Sequence, residues 1–129
     1  MSSDVWEDLI LAILSVNRYS LEKTYSAVDS LRREALFDPK KLAGWTLEDI
    51  AIRLRRGGYD RGDYLTKLLA NRLMSLGVFV ERVGIEKSER ILTTYGKTEI
   101  GQFLQPVNGV GPQVLINFSV LRHGSHDTK

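Results

Sequence analysis

An all-α fold, a single-domain bundle of six to eight helices, is what this sequence predicts, on three observations. Apolar residues recur at three- and four-residue spacing along most of the chain. No stretch sustains the period-2 alternation of a half-buried strand. The breaks between periodic segments are short and rich in Gly, Asp, Asn and Pro, as helix–helix connections are. A chain of 129 residues is one domain's worth and can bury one core.

In chain order, Ser3 or Asp4 can cap a first helix whose Trp6, Leu9, Ile10, Ile13 and Leu14 share one face. Val16-Asn17-Arg18-Tyr19 interrupts it, and Ser20 caps a second helix in which Leu21, Thr24, Tyr25, Val28, Leu31 and Ala35 keep helical spacing. Asp38-Pro39 forces a turn, because the residue before proline is pushed out of the helical region. A short helical segment over 40–45 follows. Thr46-Leu47-Glu48-Asp49 then opens a helix with carboxylates where its dipole favours them, and Gly57-Gly58 closes it. The longest helix begins near Gly62 or Asp63. Its wide stripe of Leu65, Leu68, Leu69, Leu73, Leu76, Phe79 and Val80, interrupted once at Arg72, predicts a central helix packed on several neighbours. Gly84 stops it. A further helix over 86–95 ends at Gly96, and Thr98 caps the segment 99–104. Residues 1–122 form the domain, and 123–129 read as a polar, disordered tail.

Composition narrows the function classes. With 43% hydrophobic and 26% charged residues, the chain is ordinary for a soluble globular protein. A net charge of +2 permits nucleic-acid binding only through local clustering of basic residues. The absence of cysteine excludes disulfides, zinc thiolate sites and iron–sulfur clusters. No apolar run is long enough to span a membrane, and Met1-Ser2-Ser3-Asp4 lacks the basic start of a secretion signal. The expectation is a cytoplasmic or otherwise intracellular protein without a membrane partner.

The most informative stretch is Leu104-Gln105-Pro106-Val107-Asn108-Gly109-Val110-Gly111-Pro112-Gln113-Val114, followed at once by an apolar run. Glycine tolerates positive φ and close backbone approach, and Pro112 suits a first helical turn. The stretch therefore predicts a tight turn launching a helix. Free N–H groups at Gly109, Gly111 and Gln113 would point at an anion, with Val110 plugged into the core. A phosphate diester is the natural anion. An ordinary helix–turn–helix corner is the plainer alternative.

Three separated stretches together resemble the helix-hairpin-helix superfamily of base-excision DNA glycosylases, the endonuclease III type. Leu9-Ile10-Leu11-Ala12-Ile13-Leu14-Ser15-Val16-Asn17 is similar to the first barrel helix of that family and its DNA-facing loop. Gly58-Tyr59-Asp60-Arg61 resembles its Gly-x-Tyr segment, and 104–121 resembles the helix-hairpin-helix itself. The resemblance covers roughly 5–121 and implies the six-helix lobe alone, since the segments that build the second lobe are missing.

What the resemblance implies about the site is mixed. Gly109, Val110, Gly111 and Gln113 would hold a DNA phosphate, and hairpin carbonyls can take a monovalent cation; no other cofactor or metal is expected. Asn17, Arg18, Arg53, Arg56, Gly58, Tyr59 and Arg61 would face DNA, although Tyr59 also reads as core. Gln113 stands where the lyase branch carries its catalytic lysine, and an amide forms no Schiff base. The family's essential aspartate lies beyond the hairpin, where Asp127 is the only carboxylate. Glu48, Asp49, Asp60 and Asp63 sit at helix starts and read as caps. His123 and His126 fall in the tail, and Lys67 and Lys97 lie near the DNA-facing elements.

The expected function is a sequence-independent DNA-binding module lacking the catalytic lysine and aspartate of its relatives. Two alternatives stand beside it. One is a minimal glycosylase or abasic-site lyase completed by a partner or by dimerisation. The other is a helical interaction domain without DNA binding. Loss of the second lobe would leave Val5, Trp6 and 118–121 partly bare, a surface for a homodimer or partner chain.

Overall fold

The computed structural model describes residues 4–16 and 20–127, the last five of these by backbone alone. Asn17 and Arg18 lie outside the described residues, as does the end of the expected tail, 128–129. Among the described residues there are nine helices and no strand, so the all-α expectation holds at the level of class. No helix among them is long and apolar enough to cross a membrane.

Helix α1 (Val5–Leu14) is capped by Asp4, whose carboxylate accepts from the Trp6 N–H at 3.0 Å. It is the buried element of the fold. The sequence suggested one apolar face, yet Leu11 and Ala12 are as buried as Leu9, Ile10, Ile13 and Leu14. A helix apolar all round belongs inside, and α1 is enclosed by α2, α6, α7 and α9. Its two carboxylates are held rather than solvated: Glu7 meets Arg32 at 2.8 Å, and Asp8 meets Arg122 at 2.9 Å. The central place assigned to the longest helix is therefore shared with α1.

Two short helices, α2 (Leu21–Tyr25) and α3 (Val28–Arg33), replace the single helix expected over 20–35. Ser20 does cap the first, accepting from Lys23 N–H at 3.1 Å. The Ser26 hydroxyl turns back onto the Lys23 carbonyl at 2.6 Å, a local bond that competes with helix continuation. Tyr25 is consequently exposed. Helix α3 ends with Ala35 at φ 62°, and Leu36 N–H reaches back to Leu31 O at 3.3 Å. That is the geometry in which helices usually place glycine.

Helix α4 (Pro39–Gly44) starts with proline at its first position under an Asp38 cap, and α5 (Leu47–Arg56) starts with a capping box made by Thr46 and Asp49. Helix α6 (Asp63–Val83) runs 21 residues. It packs along α4 and α5 and also touches α1 and α7. Gly77 makes the α4 contact close: a Cβ there would lie 2.6 Å from the Ala43 backbone nitrogen. Helix α7 (Ile85–Thr94) follows Gly84, and α8 (Lys97–Phe103) starts at Gly96 with no side-chain cap, so Thr98 is inside the helix rather than ahead of it. Phe103 stacks tilted on Phe79 at 5.0 Å between centroids.

Helix α9 (Pro112–Asp127) carries the backbone helically through five residues expected to be tail. It lies on α1. The face expected to be bare is mostly covered: Val5, Trp6 and Phe118 are buried, and the Trp6 indole N–H donates to Glu89 at 2.6 Å. Exposed apolar surface among the described side chains of α9 is Val120, inside the segment expected to be bare, and Ile116 one helical turn before it.

Two substitutions test this packing. Ala35→Gly removes the left-handed strain of an L-residue and should stabilise the domain by about 1 kcal/mol, read as a rise in urea midpoint. Gly77→Ala should push α4 off α6 and lower stability by about 1–3 kcal/mol, since the clash is with backbone.

Candidate nucleic-acid interface

The segment between α8 and α9 is a compact turn anchored at both ends. Leu104 and Val107 are buried and Val110 packs against the core, as expected. Val107 N–H donates to Leu104 O at 2.9 Å and Val110 N–H to Val107 O at 3.4 Å, so the chain reverses in steps. Helix α6 latches the turn from the side. The Ser75 hydroxyl accepts from Asn108 N–H at 3.0 Å, and the Asn108 amide donates to Asn71 Oδ1 at 3.3 Å.

The two glycines have different reasons to be there. Gly109 has φ 82°, and its missing Cβ leaves room for Arg72, whose Cδ and Nε would lie 2.3 Å from such an atom. Gly111 has no positive φ, and a Cβ there would meet nothing. Among the described residues, the N–H groups of Gly109, Gly111, Gln113 and Val114 donate to no protein acceptor. Pro112 has no N–H to offer. Arg72 makes no ion pair or hydrogen bond with a described residue, and its stem lies across Gly109. The only trace of this in the sequence is the single interruption of the apolar stripe of α6. The turn carbonyls of Val107 and Gly111 each already accept one backbone N–H, leaving one lone pair for an ion.

The three stretches that carry the family resemblance meet in space, at the carbonyl end of α1. A helix leaves its last four carbonyls without intrahelical partners, and here that end is buried. Ser15 Oγ donates to Leu11 O at 2.7 Å. From α9, the buried Asn117 amide donates to Ser15 O at 2.9 Å and to Ala12 O at 3.4 Å. The Tyr59 hydroxyl donates to Leu14 O, and Arg61 reaches Val16 O at 3.3 Å and the Tyr59 hydroxyl at 3.1 Å. Gln113 donates its amide to Asn117 Oδ1 at 3.0 Å and so fixes which way Asn117 points. Asn117 carried no signal in the sequence beyond being a polar residue in an apolar run.

One DNA-facing expectation is corrected, and three of the expected arginines have protein partners. Tyr59 is wholly buried and belongs to the core, with no ring face for a base. Arg53 and Arg56 both close on Glu34. Arg56 pairs with it at 2.7 Å, while Arg53 lies over the Trp45 ring at 4.0 Å, donates to Glu34 O at 3.1 Å and stands 3.7 Å from its carboxylate. The hydrogen bond from Arg56 holds the Glu34 carboxyl below the usual glutamate range, and Arg53 adds to this; Glu34 in return raises Arg56. Arg61, half-buried, donates to Val16 O just past α1 and to the Tyr59 hydroxyl. Gly58, with φ 87° and open space around it, remains exposed.

The carboxylates read as caps behave as such or pair with cations. Asp49 completes the box at Thr46, and Asp60 accepts from Gly62 N–H at 3.0 Å. Asp63 meets Arg55 at 3.2 Å, and Glu48 meets Lys67 at 3.3 Å. Lys97 is exposed. The side chains of His123, His126 and Asp127 lie outside the described residues. Among the described residues no group of three or more His, Cys, Asp or Glu could hold a metal ion.

Two measurements follow. Because the Glu34 carboxyl is depressed in the folded state, its stabilisation is present above the unfolded glutamate pKa and lost as pH falls through the folded one. Glu34→Gln should flatten that acid limb, read as urea midpoint against pH. Asn117→Ala takes the donor from the buried Ser15 carbonyl, while Ala12 O keeps the Ser15 N–H, and should cost about 1–3 kcal/mol; Gln113→Ala should cost less because its partner keeps its other bonds.

Compared with known proteins, the chain matches no family model, no curated protein and no solved structure.

Proposed function

We propose that the protein is a sequence-independent DNA-binding module that grips a backbone phosphate at the α8–α9 turn. The observation that carries this reading is the conjunction at Gly109: backbone N–H groups that find no acceptor among the described residues stand beside Arg72, whose side chain pairs with none of them either. Backbone N–H groups at a helix start favour an anion through both hydrogen bonds and the helix dipole. Such contacts touch phosphate and not base edges, so they position a duplex without reading its sequence. The buried hub at α1 supports the reading indirectly. It ties α9, which carries the turn, to the end of α1, from which the resemblance would present Asn17 and Arg18 to DNA. The basic cluster around Gly57-Gly58 contributes less than its sequence suggests, since Glu34, Asp60 and Asp63 neutralise it.

Titrating unrelated duplexes across a range of salt tests this. Expected are similar affinities for all sequences and a log–log salt slope of about 0.9 per phosphate contact. Arg72→Gln should lower the slope by about one contact and weaken binding of every duplex alike. Affinity that is flat in salt, or indifferent to Arg72→Gln, would overturn the proposal.

A further inference from the structure

We propose that Asn108-Gly109 is a self-modification site, at which the Gly109 backbone nitrogen converts the Asn108 amide to a carboxylate and removes its donation to Asn71 on α6. Of the asparagines at 17, 71, 108 and 117, only Asn108 precedes a glycine. A glycine has no Cβ to shield its nitrogen from the preceding side chain. Both residues are exposed, and the Gly109 N–H donates to no described residue. Asn71 and Asn117 instead sit inside helices and are followed by Arg72 and Phe118.

The chemistry needs only water. The Gly109 nitrogen bonds to Asn108 Cγ, the Cγ–Nδ2 bond breaks, and the amide nitrogen leaves as ammonia with the proton that Gly109 gives up. Water then opens the cyclic imide at either carbonyl, giving aspartate or its β-linked isomer. Nothing is oxidised or reduced.

Structural consequences follow from the contacts already described. The Asn108 amide donates to Asn71 Oδ1, and a carboxylate cannot, so that bond is lost and Asn71 must turn its own amide over to donate, while the Asn108 N–H stays on Ser75. The new charge also appears next to Gly109, over which Arg72 lies, and offers that guanidinium a carboxylate in place of an external anion. This last effect, on DNA, rests on the function proposed above; the chemistry does not.

The experiment is ageing of the intact chain in warm, mildly alkaline buffer, followed by peptide mass mapping. Expected is a gain of about 1 Da, the exchange of NH2 for OH, confined to the peptide holding Asn108. Asn108→Gln should abolish it and Asn71→Ala should accelerate it, because the latch restrains the reacting amide. No gain at Asn108 while a synthetic peptide spanning 104–113 converts in the same buffer would overturn the proposal, as would equal gains at the other asparagines. Aged protein should also lose about one phosphate contact from its salt slope. If fresh protein binds DNA and the converted form binds equally, the switching role fails. Fresh protein that binds no DNA counts against the preceding section, and the mass gain still decides this one.

Discussion

The carbonyl end of α1 is the constraint around which the molecule is arranged. A helix as apolar as Leu9–Leu14 must be buried, but burying it also removes water from its terminal carbonyls. Unmade hydrogen bonds in such a place cost more than made ones return, so each carbonyl has to find a donor within the protein. Ser15, Asn117 and Tyr59 supply donors to Leu11, Ala12 and Leu14, and Asn117 and Arg61 serve the Ser15 and Val16 carbonyls just beyond. Among the described residues no buried side-chain nitrogen or oxygen lacks a partner. Three stretches far apart in the chain are thereby held to one point, and this hub orients α9 on α1.

The orientation of α9 sets that of the turn preceding it. Val107 and Val110 seat the turn in the core, and Ser75 and Asn71 hold its flank, so the N–H groups of Gly109 and Gly111 sit on a rigid support. Rigidity would serve the proposed phosphate contact, because donors already in place need not be ordered on binding. Arg72 owes its place over the turn to the missing Cβ of Gly109. The charge that the sequence concentrates around Gly57-Gly58 is directed inward instead, to Glu34 and to the acidic start of α6. Exposed ion pairs of this kind contribute little to stability, but they do cancel a local field.

Much of the architecture was legible before any coordinates. The caps at Asp4, Ser20 and Thr46, the stops at Gly57 and Gly84, and the buried stripe of α6 all depend on residues within a few positions of one another. Where sequence reasoning failed, a nearby competing bond or a distant partner was responsible. The helix expected over 20–35 broke because the Ser26 hydroxyl turned back on the backbone and Ala35 took a left-handed conformation, which alanine composition does not announce.

The candidate site divides along the same line. Sequence by itself determined the all-α class, the order of the helices, the tight turn at Gly109 and the amide at Gln113, since each follows from local backbone preference or from residue chemistry. Only the tertiary structure decided that Tyr59 caps α1 rather than facing solvent, that Glu34 neutralises Arg53 and Arg56, and that Arg72 stands over Gly109. The physical reason is that a charge or a hydroxyl is defined by its partner. These partners lie from 19 to 45 residues away in the chain, where no local pattern can name them.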